Sequence, residues 1–548
     1  MKHQEIINRA IKAVHERTFY AQYPEHPKAY GDELLTKGQT DYEAQIGKAF
    51  TELLQTGETG QIGEENSPYS REDLGITYPT FAVEDLVNKA MTAQKTWRKI
   101  PIHQRADILV EALERSSKRF HEIAWATHHT TGQSYVMSFQ ASGPHAADRA
   151  LEAIALGYHE LGRFPEKVFW EKPLGRMSAK LEKTFKPIPK GIGLVIGCST
   201  FPTWNTLPGL FANLITGNVT IVKPHPKSVY PIAIYVAEIQ KLLAENGLDI
   251  HTVQLAVDGS NQLITKDLAE HPSIKIVDFT GSSEFGNYIE SLPNKTIFTE
   301  KSAVNSVIVD SAKNLREIMR NLAFSVSLYS GQMCTAPQNF FIPASGVLDD
   351  DELIPYETVV DLFRNEVAAL VLNPKMSAGT LGAIQSDATL ERAQNANKRG
   401  GTVILPSPKV RHPYFATARL CAPTIIEVDA DQADLYAQEL FGPIVLVVKT
   451  KNTEESIEIA QKMATEKGTL TCAAYCTDNT KTATIIEVMN EAFVPVTLNL
   501  TGYFWVNQHA SFSDFHGTGG NPAGTASYTD PQFVTKRFVW VGNRVSVV

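Results

Sequence analysis

The residue best suited to covalent chemistry in this sequence is Cys334, which lies in the small-residue segment Ser330-Gly-Gln-Met-Cys-Thr-Ala336. A cysteine thiolate attacks carbonyl carbon atoms and forms thioesters, which is the chemistry of many catalytic cysteines. A buried structural thiol is the competing interpretation, because free cysteine is among the most buried residue types. The cysteine by itself does not decide between these two interpretations.

Motifs on both sides of Cys334 favour catalysis through their order and spacing. Glu300 precedes the cysteine by 34 residues, and Lys223 follows Thr200 by 23. The other motifs are Phe279-Thr-Gly-Ser282 with Gly286, and Glu439-Leu-Phe-Gly-Pro443. Together they resemble those of the aldehyde dehydrogenase superfamily, from about residue 80 to the end of the chain. Within this superfamily the chain is most similar to proteins of phenylacetic acid degradation, and it shares features with semialdehyde dehydrogenases that act on CoA thioesters.

The resemblance implies roles for three residues at the reacting carbon. Cys334 corresponds to the nucleophile, whose sulfur attacks an aldehyde and, after loss of hydride, holds the acyl group as a thioester. Glu300 corresponds to the general base that activates water for hydrolysis of that thioester. Thr200 stands where the family usually has an asparagine whose amide stabilises the oxyanion.

The resemblance also implies NADP or NAD as the cofactor. Gly281 and Ser282 would lie where a strand meets a helix N-terminus, whose backbone N–H groups and positive dipole end suit a pyrophosphate. Lys223 corresponds to the lysine at the adenosine ribose, and Glu439 to the residue at the nicotinamide ribose. The implied cofactor-binding residues are Lys223, Gly281, Ser282, Gly286, Glu439 and Phe441.

Three departures from the usual family residues bear on efficiency and on the choice of dinucleotide. With Thr200 in place of the amide, we expect the backbone N–H of the cysteine or a nearby donor such as Asn205 to support the oxyanion. The usual acidic residue after the lysine is replaced by Pro226, followed by Lys227, so we predict that NADP⁺ binds at least as well as NAD⁺. The residues that follow Glu300 resemble those of the CoA-thioester branch.

Two further groups carry weaker chemical signals. Cys472 and Cys476 lie four residues apart in an apolar run without nearby histidine, so we expect no metal site. His516 lies in the glycine-rich stretch 514–524, which corresponds to the family's C-terminal loop at the substrate entrance. Contact with substrate is one interpretation of His516, and a packing histidine is the other.

Hydrophobic periodicity predicts the elements that must position these residues. Buried strands are predicted at 192–196, 219–222, 253–257, 274–279, 306–309, 340–342 and 444–448, and helices at 146–161, 203–215 and 231–246. This alternation predicts parallel sheets with helices on both faces. The expected fold class is therefore α/β, like that of aldehyde dehydrogenases: a Rossmann-type cofactor lobe, a second α/β catalytic lobe and a small oligomerisation sheet.

Four segments are expected along the chain. Residues 1–80 form a polar N-terminal extension, residues 81–299 an NAD(P)-binding domain, residues 300–510 a catalytic domain, and residues 511–548 a C-terminal loop and strand. By resemblance, residues 176–189 and 534–547 contribute strands to the oligomerisation sheet. This organisation implies a homodimer or homotetramer.

Composition excludes several classes of function. The chain has 548 residues, too many for a small binding module, and its net charge of −9 disfavours nucleic acid as a partner. The uncharged stretch 191–222 contains prolines and polar residues, which favours burial in a protein core over a membrane span. Five cysteines and a polar N-terminus without an apolar signal region predict a cytoplasmic location.

The sequence favours NAD(P)⁺-dependent oxidation of an aldehyde to a carboxylate, in phenylacetate or other aromatic-acid catabolism. A CoA-acylating dehydrogenase is the first alternative, and the presence of Glu300 argues against it. A cysteine hydrolase would need a histidine beside Cys334, and no neighbouring position in the sequence supplies one. A structural homologue without turnover is the third alternative, with Thr200 in its favour.

Overall fold

The computed structural model describes residues 2–504 and 511–547. Its α-helices are α1 Gln4–Glu16, α2 Gly31–Gln45, α3 Val83–Trp97, α4 Ile102–Ser117, α5 Phe120–Thr131, α6 Tyr135–Gln140, α7 Ala146–Leu161, α8 Pro202–Ile215, α9 Tyr230–Glu245, α10 Thr265–Glu270, α11 Ser283–Glu290, α12 Leu315–Ser327, α13 Tyr356–Leu372, α14 Pro374–Thr380, α15 Asp387–Gln394, α16 Ala433–Tyr436, α17 Thr453–Lys467, α18 Asn479–Glu491 and α19 Gln532–Thr535. Its strands are β1 Gly60–Ile62, β2 Tyr78–Thr80, β3 Lys167–Leu174, β4 Met177–Pro189, β5 Ile192–Ile196, β6 Val219–Lys223, β7 Val253–Leu255, β8 Ile274–Thr280, β9 Thr296–Glu300, β10 Ser306–Val309, β11 Ser311–Ala312, β12 Asn339–Pro343, β13 Val347–Asp349, β14 Glu352–Ile354, β15 Thr402–Leu405, β16 Thr424–Asp429, β17 Ile444–Thr450, β18 Cys472–Tyr475, β19 Val496–Leu498 and β20 Phe538–Ser546.

The first large sheet is parallel, with the strand order β7-β6-β5-β8-β9. Its central strands β5 and β6 are buried along their whole length, as expected where helices cover both faces. β8 and β9 are paired in a register that sets Thr280 opposite Glu300. Their carboxyl ends therefore open at one edge of the sheet.

The second large sheet has seven strands in the order β15-β16-β17-β12-β10-β18-β19. Only its edge strand β15 runs antiparallel to its neighbour among the strand pairs described. Cys334 comes just before β12, and Glu439 and Phe441 come just before β17, which pairs with β12. The amino ends of these strands thus lie at the edge that faces Glu300.

A third, antiparallel sheet has the order β20-β4-β3 and lies outside the two large sheets. It exposes several large apolar side chains, among them Phe169, Met177 and Val545. The C-terminal strand begins at Phe538, later than the predicted start at residue 534, because the segment after Pro531 forms the helical turn α19.

The N-terminal extension is folded onto the first sheet and its helices. In α1, Ile7 and Ala10 are fully buried. Glu65, also buried, accepts hydrogen bonds from the backbone N–H groups of Val229 (2.6 Å) and Tyr230 (2.9 Å) at the start of α9. A carboxylate at a helix N-terminus is stabilised by the helix dipole. Glu65 therefore fixes the N-terminal extension to α9, beside the first large sheet.

The predicted α/β class is confirmed. The strands at 192–196 and 306–309 and the helix at 146–161 have the predicted bounds. The four domain boundaries stay a prediction. None of the helices in the described part of the chain is both long and apolar enough to cross a membrane.

Candidate active site

The loop that carries Cys334 is held in an unusual backbone conformation. Tyr329, Ser330 and Gly331 all have positive φ, at 50°, 51° and 65°. A Cβ on Gly331 would lie 2.4 Å from a backbone oxygen of a neighbouring loop, so only glycine fits there. The Asn305 amide then donates to the carbonyl oxygens of Cys334 (2.8 Å) and Ala336 (3.1 Å). The cysteine is thereby tied to the start of the second sheet.

Glu300 is the last residue of β9, and its side chain is buried beside the cysteine loop. The C-terminal loop runs along this strand: the N–H of Lys301 donates to the carbonyl of Ala523 at 2.6 Å, and that of Thr525 to the carbonyl of Thr299 at 3.0 Å. These backbone bonds fix the C-terminal loop relative to Glu300.

His516 lies at the centre of the site, although the sequence indicated only the substrate entrance or a packing role. Its Nε2 is 3.1 Å from Glu300 Oε2 and 3.8 Å from Cys334 Sγ. The ring is buried, stacks parallel to Tyr528 at 6.0 Å and meets Trp204 edge-on at 4.7 Å. His516 is 182 residues from the cysteine, so no local sequence pattern could have revealed this contact.

The environment shifts the pKa values of Cys334 and Glu300 in opposite directions. Burial and the nearby Glu300 carboxylate raise the pKa of the Cys334 thiol well above its usual value. Burial also acts to raise the pKa of Glu300, but His516 and the Cys334 thiol outweigh it and hold that pKa below its usual value. Glu300 is therefore a carboxylate at neutral pH, and the cysteine is a thiol that needs a base.

Thr200 lines the same cavity as Cys334, and its carbonyl oxygen accepts a hydrogen bond from the Gln133 side chain at 2.8 Å. Asn205 is buried, and its amide nitrogen donates to the Tyr528 hydroxyl at 3.2 Å. Both side chains face the cavities next to the cysteine. Either could donate to an oxyanion on a bound substrate.

A cavity of about 760 Å³ extends from Cys334 along the edge of the first sheet. The predicted residues that line it are Thr200, Gly281, Ser282, Glu300, Cys334, Glu439 and Phe441. The Ser282 hydroxyl caps the N-terminus of α11 by accepting from the Phe285 N–H at 3.4 Å. A helix N-terminus at the carboxyl edge of a parallel sheet fits the pyrophosphate of a dinucleotide.

Gly286 and Lys223 lie outside the lining of that cavity. Gly286 packs in α11 against the Lys301 side chain, with no room for a Cβ. Lys223, at the end of β6, forms a buried ion pair in which its Nζ is 2.6 Å from Asp258 Oδ1. Burial lowers the pKa of His225 to about 4, so this imidazole is neutral at physiological pH. The structure thus supplies a carboxylate beside Lys223 that the sequence motif lacked.

A second cavity, of about 290 Å³, reaches Cys334 from the opposite side. Its lining is mostly apolar, and none of the residues described there is Asp, Glu, Lys or Arg. The larger apolar and aromatic side chains are Val136, Met137, Phe201, Trp204, Phe324, Leu328, Met333 and Tyr503, and the larger polar ones are Gln140, His145, Asn205 and His516. Such a pocket suits an uncharged, largely apolar ligand group.

The N-terminal segment supports the loop that carries His516. The Arg17 guanidinium donates to the carbonyl of Thr529 at 3.2 Å and lies 4.8 Å from the centre of the Phe515 ring. Tyr20 meets Phe512 edge-on at 5.0 Å. The extension therefore contributes to the geometry of the site without lining it.

Comparison with known proteins is consistent with this arrangement. The chain matches the family model described as "Aldehyde dehydrogenase family" over residues 67–520. It resembles the crystal structure of an NAD-dependent aldehyde dehydrogenase from Burkholderia multivorans with a TM-score of 0.97 and 40% identity, over 100% of this chain and 98% of that one. A 1-pyrroline-5-carboxylate dehydrogenase from Thermus with bound NAD has the same fold, with a TM-score of 0.75 and 18% identity over 97% and 99% of the two chains. A curated relative, the 1-pyrroline-5-carboxylate dehydrogenase of Bacillus cereus, is 26% identical over 416 residues, which is 72% of this chain and 74% of that protein.

Proposed function

Because the chain belongs to the aldehyde dehydrogenase family, we propose that it oxidises an aldehyde to a carboxylate, with Cys334 as the nucleophile and NAD⁺ or NADP⁺ as the cofactor. The single observation that carries this proposal is the position of Cys334 where the two cavities meet, with Glu300 in the wall of the larger one. A substrate in the smaller cavity and a dinucleotide in the larger one would both reach the sulfur atom.

In the first half-reaction, the Cys334 thiol loses its proton to solvent and its Sγ forms a bond to the carbonyl carbon. The carbonyl electron pair moves to oxygen, where Thr200 or Asn205 and the backbone N–H of Cys334 can donate hydrogen bonds. When bound, the dinucleotide accepts the hydride that leaves this carbon. The acyl group then remains on Cys334 as a thioester.

In the second half-reaction, Glu300 acts as the base toward water. Water attacks the thioester carbon, its proton passes to Glu300, and the carbon–sulfur bond breaks to release the carboxylate product. The lowered pKa of Glu300 keeps the base ionised at neutral pH. This assignment supports hydrolysis rather than transfer of the acyl group to CoA.

We further propose that NAD⁺ is the preferred dinucleotide, which changes the preference inferred from the sequence. If Lys223 contacts the adenosine ribose, as its family counterpart does, the Asp258 carboxylate beside it would accept from the 2′-hydroxyl and repel a 2′-phosphate. The neutral His225 offers no compensating charge. The similar Burkholderia protein is named as NAD-dependent, which agrees with this preference.

The uncharged lining of the smaller cavity supports an apolar, aromatic aldehyde as the substrate. 1-Pyrroline-5-carboxylate, the compound in the names of several relatives, would bring a carboxylate and a ring nitrogen into a lining that has no Asp, Glu, Lys or Arg among the described residues. We therefore place the enzyme in phenylacetate or other aromatic-acid catabolism, in line with its resemblance to the phenylacetic acid degradation protein PaaN.

The exposed apolar residues of the third sheet support assembly into a homodimer or homotetramer. Phe169 and Met177 are 61% and 74% exposed, and Val545 is 60% exposed. Apolar surface of this kind is typical of an interface between copies. We propose that this sheet carries the contact between subunits.

The experiment that tests this function follows reduced nicotinamide by absorbance, with NAD⁺ or NADP⁺ and with or without CoA. We expect turnover of an arylacetaldehyde with NAD⁺ and no need for CoA, and no turnover by Cys334→Ala. A strict requirement for CoA would identify the acylating alternative instead. Faster turnover of 1-pyrroline-5-carboxylate than of any aromatic aldehyde would refute the proposed substrate class.

A further inference from the structure

Three potential metal ligands in the active site converge on one point. The nearest ligand atoms of Glu300, Cys334 and His516 all lie within 4.8 Å of one another. A single nitrogen, His516 Nε2, faces both the carboxylate (3.1 Å) and the sulfur (3.8 Å). In a catalytic triad the histidine uses its two nitrogens on two different partners, which lets a proton cross the ring. A nitrogen that faces a carboxylate oxygen and a sulfur atom together is also the arrangement of a metal-ligand set.

Two of the three ligand distances are close to the coordination geometry of zinc, and the third, between Glu300 and Cys334, is at most 4.8 Å. Bonds of about 2.0–2.1 Å to nitrogen and oxygen and about 2.3 Å to sulfur put tetrahedral ligand atoms roughly 3.3–3.6 Å apart. The observed separations of 3.1 Å and 3.8 Å need only small side-chain movements to match. Thiolate, imidazole and carboxylate are all ligands that Zn²⁺ accepts.

Two further observations favour an ion at this point. The second carboxylate oxygen of Glu300, Oε1, is buried and accepts no hydrogen bond from any residue that the structure describes. Glu300 lines the larger cavity, so its carboxylate is within reach of a ligand that enters the site. Cys334 borders both cavities, which give a metal ion an entry path and leave room for a fourth ligand such as water.

We propose that Glu300, Cys334 and His516 form a three-ligand Zn²⁺ site whose occupation reversibly inhibits the enzyme. On binding, the Cys334 S–H bond breaks, its proton goes to solvent, and a sulfur–zinc bond forms without any change of oxidation state. The metal occupies the nucleophile and the base together, so neither half-reaction can proceed. Only the inhibition rests on the proposed function, because metal binding is independent of turnover. The sequence predicted no metal site, since its ligands are far apart along the chain.

The test uses Co²⁺ as a spectroscopic probe, in buffer free of thiols and with the dinucleotide absent. Wild-type enzyme should show a thiolate-to-cobalt charge-transfer band that Zn²⁺ abolishes by displacement, with a zinc Kd below about 10 µM. Cys334→Ser should abolish the band. His516→Gln and Glu300→Gln should each weaken zinc binding at least tenfold. Cys198→Ser and His145→Gln are matched controls, because both residues line the same cavities outside the cluster, and they should bind zinc like wild type.

A wild-type protein without the band, a band that survives Cys334→Ser, or a His516→Gln or Glu300→Gln variant with wild-type zinc affinity would overturn the proposal. Dinucleotide binding, measured separately, shows that each variant is folded, and the two ligand variants test the site independently. Zinc binding without any aldehyde oxidation would contradict the proposed function instead. Aldehyde oxidation that Zn²⁺ leaves unchanged would contradict only the inhibitory site.

Discussion

Replacing Asp258 by asparagine is expected to shift the dinucleotide preference from NAD⁺ toward NADP⁺. The carboxylate lies 2.6 Å from Lys223 Nζ, and the two side chains are 1% and 3% exposed. Its other oxygen accepts from the N–H of Ile264 at 3.0 Å, so the group is held in one orientation. Asparagine keeps the shape of the side chain and removes its charge.

The size of the effect follows from the proposed hydrogen bond between the Asp258 carboxylate and the ribose 2′-hydroxyl. A hydrogen bond to a charged group contributes about 1.5–3 kcal/mol, which corresponds to roughly a 10- to 150-fold change in Kd for NAD⁺. In the variant, the buried Lys223 ammonium loses its partner, and a 2′-phosphate would supply the missing negative charge. NAD⁺ should therefore bind at least tenfold more weakly, and NADP⁺ more tightly than to wild type.

Equilibrium titration of both dinucleotides, followed by nicotinamide-induced quenching of tryptophan fluorescence, measures this change. Glu64→Gln is the matched control, because that carboxylate accepts from Ser260 on the loop just after Asp258. We expect the control to keep the wild-type preference. If wild-type enzyme binds NADP⁺ as tightly as NAD⁺ and Asp258→Asn leaves the ratio unchanged, the reasoning is wrong.

Three further predictions concern the cysteine loop and its surroundings. Thr200→Val should lower kcat by roughly 10- to 100-fold with KM little changed, and unchanged kcat in both this variant and Asn205→Ala, by steady-state kinetics, would show that neither side chain serves the oxyanion. Because burial and Glu300 raise the pKa of the Cys334 thiol, its alkylation by iodoacetamide should be slow at neutral pH and accelerate as pH rises, and Glu300→Gln should make it faster at neutral pH. An alkylation rate that is independent of pH would contradict this. Gly331→Ala should destabilise the protein by at least about 1–3 kcal/mol in urea unfolding and abolish activity, because its φ is 65° and its Cβ would meet a backbone oxygen at 2.4 Å.

Local patterns were sufficient for the strands that build the two large sheets. Ile192–Ile196 is a continuous apolar run bounded by glycines, and it forms a strand with those bounds because it is buried on both faces. Gly281, Ser282 and Glu439, which the resemblance to aldehyde dehydrogenases implied as cofactor-binding residues, line one cavity with Cys334. Their roles stay a prediction until the enzyme is assayed.

Contacts between distant segments could not be predicted in the same way. His516 reaches Cys334 only because the C-terminal loop pairs with β9, and nothing near residue 516 signals that pairing. Asp258 is 35 residues from Lys223 and lies in the turn after a different strand. The lysine motif therefore gave no sign of this carboxylate, and the dinucleotide preference inferred from that motif did not include it. Side chains brought together by tertiary structure leave no periodic or spaced signal in one sequence.

The central claim, that Cys334 forms the thioester and Glu300 hydrolyses it, is tested most directly by rapid-mixing measurement of reduced nicotinamide in the first turnover. Wild type and Glu300→Gln should both show a burst of about one equivalent per active site, followed in the variant by much slower turnover, while Cys334→Ala should show neither. Loss of the burst in Glu300→Gln with dinucleotide binding intact would contradict this division of roles, and turnover by Cys334→Ala would contradict the thioester mechanism itself.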